Sequence, residues 1–251
     1  MNTSSQPPRL HGVPFSQPVR AVIWLMLHKD LAFELVPVSP GSKNDGGSRS
    51  PAYLARNPAG TIPMLEEPDT GFALGESHAI LCYLANRHGW NDVYPTDPQA
   101  RARVDWYLHY HHRNLREGSI GLVAPRIRKD LNFPEAVLQT AQAIFNRALR
   151  TLDTGWLAQS KYIAGDQVTL ADFSAYAEIG QLQAGFLNLF DFTPYANLSR
   201  WLDAMRQVRG HDDAHLVLRE LGDISGEAPS MDRIREANQR AFTLLANRAR
   251  S

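Results

Sequence analysis

The chain has a single cysteine, Cys82, among its 251 residues. One cysteine excludes a disulfide within the chain and a redox-active Cys-x-x-Cys pair, and its place in an apolar helical stretch predicts a core residue. An excess of charge is also missing, because 26 lysines and arginines balance 26 aspartates and glutamates. We therefore expect no basic field that would hold nucleic acid or an anionic membrane.

Long apolar runs are absent as well. No segment has the length that spans a bilayer, and residues 1–9 are polar and proline-rich rather than similar to a signal peptide. We therefore expect a cytoplasmic protein. Its length is enough for one or two domains.

A hydroxyl stands where a helix is predicted to begin. Ser16 is followed by Gln17 and Pro18, and apolar residues then recur at the spacing of one helix face. Proline suits the first helical turn, and a helix N-terminus offers unpaired N–H groups and the positive end of the dipole. This pattern is typical of a simple helix cap, and it can also hold a thiolate.

Two further segments can bind parts of a peptide. Residues 57–65, NPAGTIPML, enter a short apolar strand through Pro63, where a cis bond would expose the backbone of Ile62 to an extended peptide. Glu76 and Ser77 begin another predicted helix and give a second helix end that accepts anions.

The second half of the chain has helical signals. Asp97 and Pro98 predict the start of a helix that runs to about Glu117. Thr169 and Asp172 have the spacing of a capping box, which indicates a structural role. Apolar spacing predicts further helices near residues 141–152 and 198–205.

The end of the chain predicts one more helix, capped by Ser230. It has a narrow apolar stripe (Ile234, Ala237, Ala241, Leu245) and a basic remainder (Arg233, Arg235, Arg240, Arg248, Arg250). The preceding helices look complete by about Leu221, so we expect this helix to have no core role. It can dock on a membrane or a partner, or cover an active site.

Three histidines raise the question of a metal. His109 and His112 are three residues apart and can share a helix face with His111 beside them, but no third ligand with suitable spacing is evident nearby. We expect no metal.

Together these segments carry a family resemblance. The order strand, Ser16 helix, strand, Pro63 strand, strand, Glu76–Ser77 helix resembles the thioredoxin-like domain of cytosolic glutathione transferases. Residues 94–105, YPTDPQARARVD, and 165–173, GDQVTLADF, are similar to the first helix and the folding motif of that family's helical domain. The SQP and QARARV strings are most similar to the theta class, and the resemblance runs from about Leu10 to about Leu221.

The resemblance implies an architecture. We expect an α/β thioredoxin-like domain at residues 8–88 that binds glutathione. An all-α domain at residues 97–251 would bind the electrophile and end in a lid helix. The resemblance also implies a homodimer.

The resemblance implies a site as well. Ser16 would donate a hydrogen bond to the glutathione thiolate, and Arg116 matches an arginine that theta-type proteins direct at the sulfur. Glutathione would be held by residues from three segments: Arg49, Ser50, Thr61, Ile62, Pro63, Glu76 and Ser77.

Within that set each segment has a part of glutathione. Glu76 and Ser77 resemble the pair that holds the γ-glutamyl end, Ile62 would bond to the cysteinyl unit, and Arg49 with Ser50 are candidates for the glycyl carboxylate. Two positions depart from the theta pattern. Thr61 stands where lysine is frequent, and Arg113 stands where some members have an acid.

The expected function is attack of the glutathione thiolate on a small electrophile, with glutathione as cosubstrate and without a metal. A glutathione-dependent dehalogenase or peroxidase is an alternative. A non-catalytic binding module, like the transferase-like part of elongation factor gamma, is the alternative outside enzymes.

Overall fold

The computed structural model describes residues 6–129 and 131–248, except for the side chains of Asn247 and Arg248. The predicted tail residue Arg250 thus lies outside the described residues. Residues 6–88 have four strands and three helices, namely β1 (Arg9–Gly12), α1 (Gln17–His28), β2 (Glu34–Pro37), α2 (Pro51–Leu54), β3 (Met64–Glu67), β4 (Phe72–Gly75) and α3 (Ser77–His88).

From Pro98 onward the named elements of the described chain are all helical. The α-helices are α4 (Pro98–His111), α5 (Ala124–Ile127), α6 (Glu135–Thr151), α7 (Leu157–Gln159), α8 (Leu170–Ile179), α9 (Ala196–Arg206), α10 (His211–Ala214), α11 (Leu216–Leu221) and α12 (Met231–Arg248). Two π-helical turns (Ser119–Val123, Leu152–Trp156) and one 3₁₀ turn (Gly180–Leu182) lie between them. The α/β-then-helical fold class predicted from the sequence is confirmed.

The sheet has the strand order β2-β1-β3-β4. Strand β1 runs parallel to β2 and antiparallel to β3, and β3 is antiparallel to β4. Leu10 of β1 lies opposite Leu65 of β3, and both side chains are fully buried. Strand β1 is an inner strand of the sheet, and the chain passes from its end at Gly12 into the loop that carries Ser16.

Two of the predicted helix caps are confirmed. The Asp97 side chain accepts a hydrogen bond from the Ala100 N–H at 2.8 Å. Thr169 and Asp172 form both halves of a capping box at the start of α8. These caps fix where α4 and α8 begin, because each satisfies an N–H group that has no partner within the helix.

Helix α4 ends at His111, so the prediction that it runs to about Glu117 was wrong. Beyond it the Arg116 N–H returns to the His111 carbonyl at 3.1 Å, and the Ser119 N–H bonds to the buried carboxylate of Glu178. Gly118 lies so close to the Phe145 ring that a Cβ there would be 2.7 Å from it. Packing against α6 and a side-chain acceptor thus replace the regular helix.

One hydrophobic core joins the sheet to the helices. Helix α1 packs against α8, where the Trp24 ring meets Phe173 and Tyr176 edge to face at centroid distances of 5.0 and 5.2 Å. Cys82 is only partly buried at the margin of this core, which corrects the expectation of a core cysteine. Within the described ranges, no helix combines the length and the apolar character that crossing a bilayer requires.

The last helix, α12, forms as predicted but belongs to the core. Ala237, Ala241 and Leu245 are buried, and α12 packs on α11 and near β2. Arg240 adds an ion pair with Glu220 at 2.6 Å. The expectation that this helix has no core role was therefore wrong.

Candidate active site

A cavity of about 170 Å³ lies where the start of α1, the loop before β3 and the start of α3 meet α4 and α8. Five of the predicted site residues line it: Thr61, Ile62, Glu76, Ser77 and Arg116. The Ile62–Pro63 bond is cis, the form considered in the sequence analysis, and Pro63 is buried. The structure thus brings three distant segments of the chain to one cavity.

Ser16 is the N-cap residue of α1, with an extended backbone. Its side chain makes no capping hydrogen bond, so the simple-cap interpretation does not describe it. The next two residues, Gln17 and Pro18, line the cavity, whereas Ser16 itself is half-buried and is not among the lining residues. Its hydroxyl is therefore not used by the helix that it begins.

The loop before β3 is held by side chains of its own neighbourhood. The Tyr53 hydroxyl and the Asn57 amide both donate to the Thr61 carbonyl, at 2.7 and 2.9 Å. The paired part of β3 begins at Met64, so the backbone of Ile62 lies beyond the last pair with β1. These two side chains fix the carbonyl directly before Ile62.

Glu76 and Ser77 form the second helix end at the cavity. Ser77 is the first residue of α3 and is buried, while Glu76 is exposed. The backbone of Glu76 has φ of 65°, a left-handed conformation that costs on the order of 1–3 kcal/mol in a residue other than glycine. This strained residue lies at the wall of the cavity.

Arg49 and Ser50 do not line the cavity. Ser50 is buried and its hydroxyl caps the short helix α2 by accepting the Tyr53 N–H at 3.4 Å. Arg49 is exposed, and its side chain runs across Gly60, whose φ is +62° and where a Cβ would meet the Arg49 Cδ at 2.8 Å. Gly60 therefore lets Arg49 reach the loop that carries Ile62.

Arg116 reaches the cavity from the chain beyond α4, and its charge is partly compensated. Its guanidinium donates to Glu178 at 3.1 Å and to the Gln17 side chain at 3.2 Å. The Glu178 side chain is 2 % exposed and also accepts the Ser119 N–H at 3.1 Å. Sequence reasoning missed Gln17 and Glu178, because nothing local marks a buried acid on α8 as the partner of Arg116.

A buried cation, Arg20, lies behind the Ser16 turn. Arg20 is fully buried and donates to the carbonyls of Phe15 and Ala177 and to the Gln181 side chain. Burial lowers the pKa of Arg20 to about 9, and the carboxylate of Glu178 opposes that shift. Arg20 therefore ties the Ser16 turn to α8.

The histidines form a different cluster from the one examined in the sequence. His78 on α3 donates to or accepts from the Ser174 hydroxyl at 2.6 Å, and its ring lies 5.0 Å from His111 and 4.6 Å from His112. Burial lowers the pKa of His78 to about 3. His109 is exposed.

His78, His111 and His112 all line the cavity. Across the described ranges, no three His, Cys, Asp or Glu side chains are grouped so as to hold a metal ion. Sequence reasoning missed His78 as a residue of the cavity, although it directly follows Ser77 at the helix end that was predicted to accept an anion.

The chain matches two family models: the glutathione S-transferase N-terminal domain over residues 10–92 and the C-terminal domain over residues 135–204. It is 33% identical over 213 residues to human glutathione S-transferase theta-2B, a match that covers 81% of this chain and 83% of that protein. The chain therefore belongs to the glutathione S-transferase family.

Within that family several of the relatives are theta-class proteins. A solved structure of human glutathione transferase theta-2, in complex with glutathione and an unknown ligand, superimposes with a TM-score of 0.73 at 26% identity and covers 96% of this chain and 98% of that chain. Glutathione S-transferase T2 of Arabidopsis thaliana is 33% identical over 225 residues. That match takes in 84% of this chain, and the chain spans only 36% of the length of the plant protein.

Proposed function

We propose that the protein is a glutathione transferase in which Ser16 stabilises the thiolate of bound glutathione. The observation that carries this proposal is the convergence of Thr61, Ile62, Glu76 and Ser77 on one cavity, beside a helix end whose serine hydroxyl is not used as a cap. The theta-class likeness supports the same assignment.

The energy that this mechanism needs is within reach of one hydrogen bond. A free thiol has a pKa of about 8.5, so only a few per cent of it is thiolate at neutral pH. Lowering that pKa by about 2 units takes about 2.7 kcal/mol. A hydrogen bond to a charged acceptor contributes roughly 1.5–3 kcal/mol, and the N-terminus of α1 adds to it.

Arg116 has a secondary part in this proposal. The Glu178 carboxylate accepts a hydrogen bond from the Arg116 guanidinium at 3.1 Å, and the Gln17 side chain accepts another at 3.2 Å. A guanidinium that is already paired with a buried carboxylate exerts a weaker field on a third group than a free one. We therefore assign the larger share of thiolate stabilisation to Ser16.

The remaining residues would bind the peptide. Ser77 and the N-terminus of α3 suit the carboxylate of the γ-glutamyl end, and Glu76 suits its ammonium. The backbone of Ile62 would pair with the cysteinyl unit as an added strand, with the cis bond to Pro63 and the neighbouring Thr61 shaping that edge. Arg49 would bind the glycyl carboxylate, whereas Ser50 would act by capping α2.

In the reaction the thiolate sulfur forms a bond to an electrophilic carbon, and the leaving group departs with the electron pair of the bond that breaks. The thiol proton goes to solvent. A haloalkane would make this a dehalogenation that releases halide. A hydroperoxide would instead be attacked at oxygen: the O–O bond breaks, the alcohol leaves, and glutathione sulfenic acid forms, which a second glutathione converts to glutathione disulfide and water. A homodimer stays a prediction from the family resemblance, and a cytoplasmic location stays a prediction from the composition of the sequence.

The test is retention on a glutathione-affinity column, followed by turnover of benzyl halides, epoxides, haloalkanes and hydroperoxides. We expect wild type and Ser16→Ala to be retained, and Ser77→Ala to be lost, because Ser77 holds the peptide and Ser16 acts on its sulfur. Retention without turnover of any electrophile would favour the binding module. Absence of glutathione binding in wild type would contradict the proposal.

A further inference from the structure

We propose that Asn238 of the C-terminal helix is a positioning residue that sets the serine of the candidate active site. Its Oδ1 accepts the backbone N–H of Phe15 at 3.0 Å, across 223 positions of sequence. Phe15 is the residue directly before Ser16. The inference rests on the function proposed above, since it assumes that Ser16 contacts the glutathione sulfur.

The orientation of the Asn238 amide is fixed by a second bond. Its Nδ2 donates to the Ile234 carbonyl one turn earlier in α12, at 2.9 Å. Because the amide nitrogen is engaged within its own helix, the oxygen is the atom that faces Phe15. The side chain therefore serves as an acceptor of defined direction.

Each backbone N–H and carbonyl group of Phe15 and Ser16 has a hydrogen-bond partner. Asn238 accepts a hydrogen bond from the Phe15 N–H, and the buried guanidinium of Arg20 donates one to the Phe15 carbonyl. The Ser16 N–H bonds to the Val13 carbonyl at 3.0 Å, and the Ser16 carbonyl accepts the Arg20 N–H at 2.9 Å. Of these four contacts, only the one from Asn238 comes from outside the turn and α1.

The helix that presents Asn238 is itself anchored. Ala237 and Ala241, on either side of it along the buried stripe, are 3 % and 1 % exposed. Arg233 donates to the Leu221 carbonyl at the end of α11. The tail thus acts on the serine turn through a fixed contact, in addition to any role as a cover.

Loss of the acceptor leaves the N–H of a buried residue without its partner. Phe15 is 8 % exposed, so the turn must shift or admit water to satisfy that group. Either change moves the Ser16 hydroxyl relative to the sulfur. A small displacement of a catalytic contact lowers turnover more than it lowers binding by remote anchors.

The experiment is a double-mutant cycle with Ser16→Ala and Asn238→Ala, read by kcat, by the KM for glutathione and by ultraviolet titration of the bound thiolate. We expect Asn238→Ala to lower kcat between about twofold and tenfold, to raise the pKa of bound glutathione, and to leave KM within about twofold. In the Ser16→Ala background the same substitution should have no further effect on kcat, because the two residues act as one unit.

Two controls separate positioning from general damage. Gln239→Ala removes an amide from the exposed neighbouring position of α12 and should match wild type. Asn238→Asp keeps an acceptor for the Phe15 N–H but loses the donor to the Ile234 carbonyl, so it should retain more kcat than Asn238→Ala and less than wild type. Residue-resolved hydrogen exchange on the wild type adds a measurement independent of folding of any variant, and it should show a protected Phe15 amide.

The outcomes are separable. Additive effects in the cycle, a Gln239→Ala variant as impaired as Asn238→Ala, or an unprotected Phe15 amide would overturn the positioning role. If wild type fails to bind glutathione, or Ser16→Ala leaves the thiolate titration unchanged, the function proposed for Ser16 fails instead.

Discussion

Removal of the Asp172 carboxylate should lower the free energy of unfolding by more than the loss of a helix cap alone would. Asp172 is fully buried, and its two oxygens accept four hydrogen bonds. Two come from the backbone N–H and hydroxyl of Thr169 at 2.8 and 3.0 Å, one from the Ile163 N–H at 3.0 Å and one from the Trp201 indole at 2.9 Å. The carboxylate therefore joins the start of α8 to α9 and to the segment before α8, which contains Ile163.

The magnitude follows from the groups left behind. An N-cap side chain alone contributes about 1 kcal/mol. Asp172→Ala leaves three buried N–H donors without an acceptor, and each unsatisfied group costs about 1–3 kcal/mol, while removal of a buried charge offsets part of the loss. We expect a net destabilisation of about 3–5 kcal/mol, which for a chain of this size lowers the melting temperature by roughly 6–20 °C.

The assay is calorimetric unfolding of Asp172→Ala beside Asp166→Ala. Asp166 belongs to the same motif but is exposed, and it accepts a single hydrogen bond, from the Lys161 N–H at 3.1 Å. The control should stay within about 0.5 kcal/mol of wild type. Equal melting temperatures for the two variants would refute the assignment of Asp172 as a structural link, and loss of activity in a variant of unchanged stability would indicate a site residue.

Two further predictions concern the tail and the histidine cluster. A chain that ends after Glu227 should melt at least several degrees lower, because it exposes the core face that α12 covers, and should lose turnover more than glutathione affinity; wild-type melting and kinetics would contradict the docked tail. Burial lowers the pKa of His78 to about 3 in the folded protein, whereas its ordinary pKa in the unfolded chain is 6.5. The unfolded chain therefore takes up a proton that the folded protein does not, and the free energy of unfolding falls as pH drops from 6.5 toward 3. From this shift His78→Gln should lose about 2 kcal/mol less stability than wild type between pH 7 and pH 5, and parallel pH profiles would contradict it.

Features encoded by neighbouring residues were predictable from the sequence. The Ser16 helix start, the cis bond at Pro63, the Asp97 cap and the Thr169–Asp172 box each depend on residues within a few positions. Local backbone conformation and local hydrogen bonds decide such features.

Contacts between distant segments were not predictable in the same way. Arg116 meets Glu178 62 positions later, His78 meets Ser174 96 positions later, and Asn238 reaches Phe15 from the far end of the chain. Each depends on how the helices pack, and no residue pattern along the chain records it. The stripe on α12 showed this limit most clearly, since the helix was expected to have no core role and its alanines proved to be buried.

The helix end at His111 has the same origin. Nothing in residues 112–118 except Gly118 opposes a helix, and the Phe145 ring and the Glu178 carboxylate decide the local path. Tertiary contacts there override the local preference.

The measurement that tests the central claim most directly is ultraviolet titration of the thiolate of bound glutathione in wild type and in Ser16→Ala. The proposed mechanism predicts a pKa about 2 units below that of free glutathione in wild type and a value near the free one in the variant, with affinity retained and turnover lower by at least about tenfold. The same depressed pKa in both proteins would contradict the role of Ser16 and would assign the thiolate to Arg116.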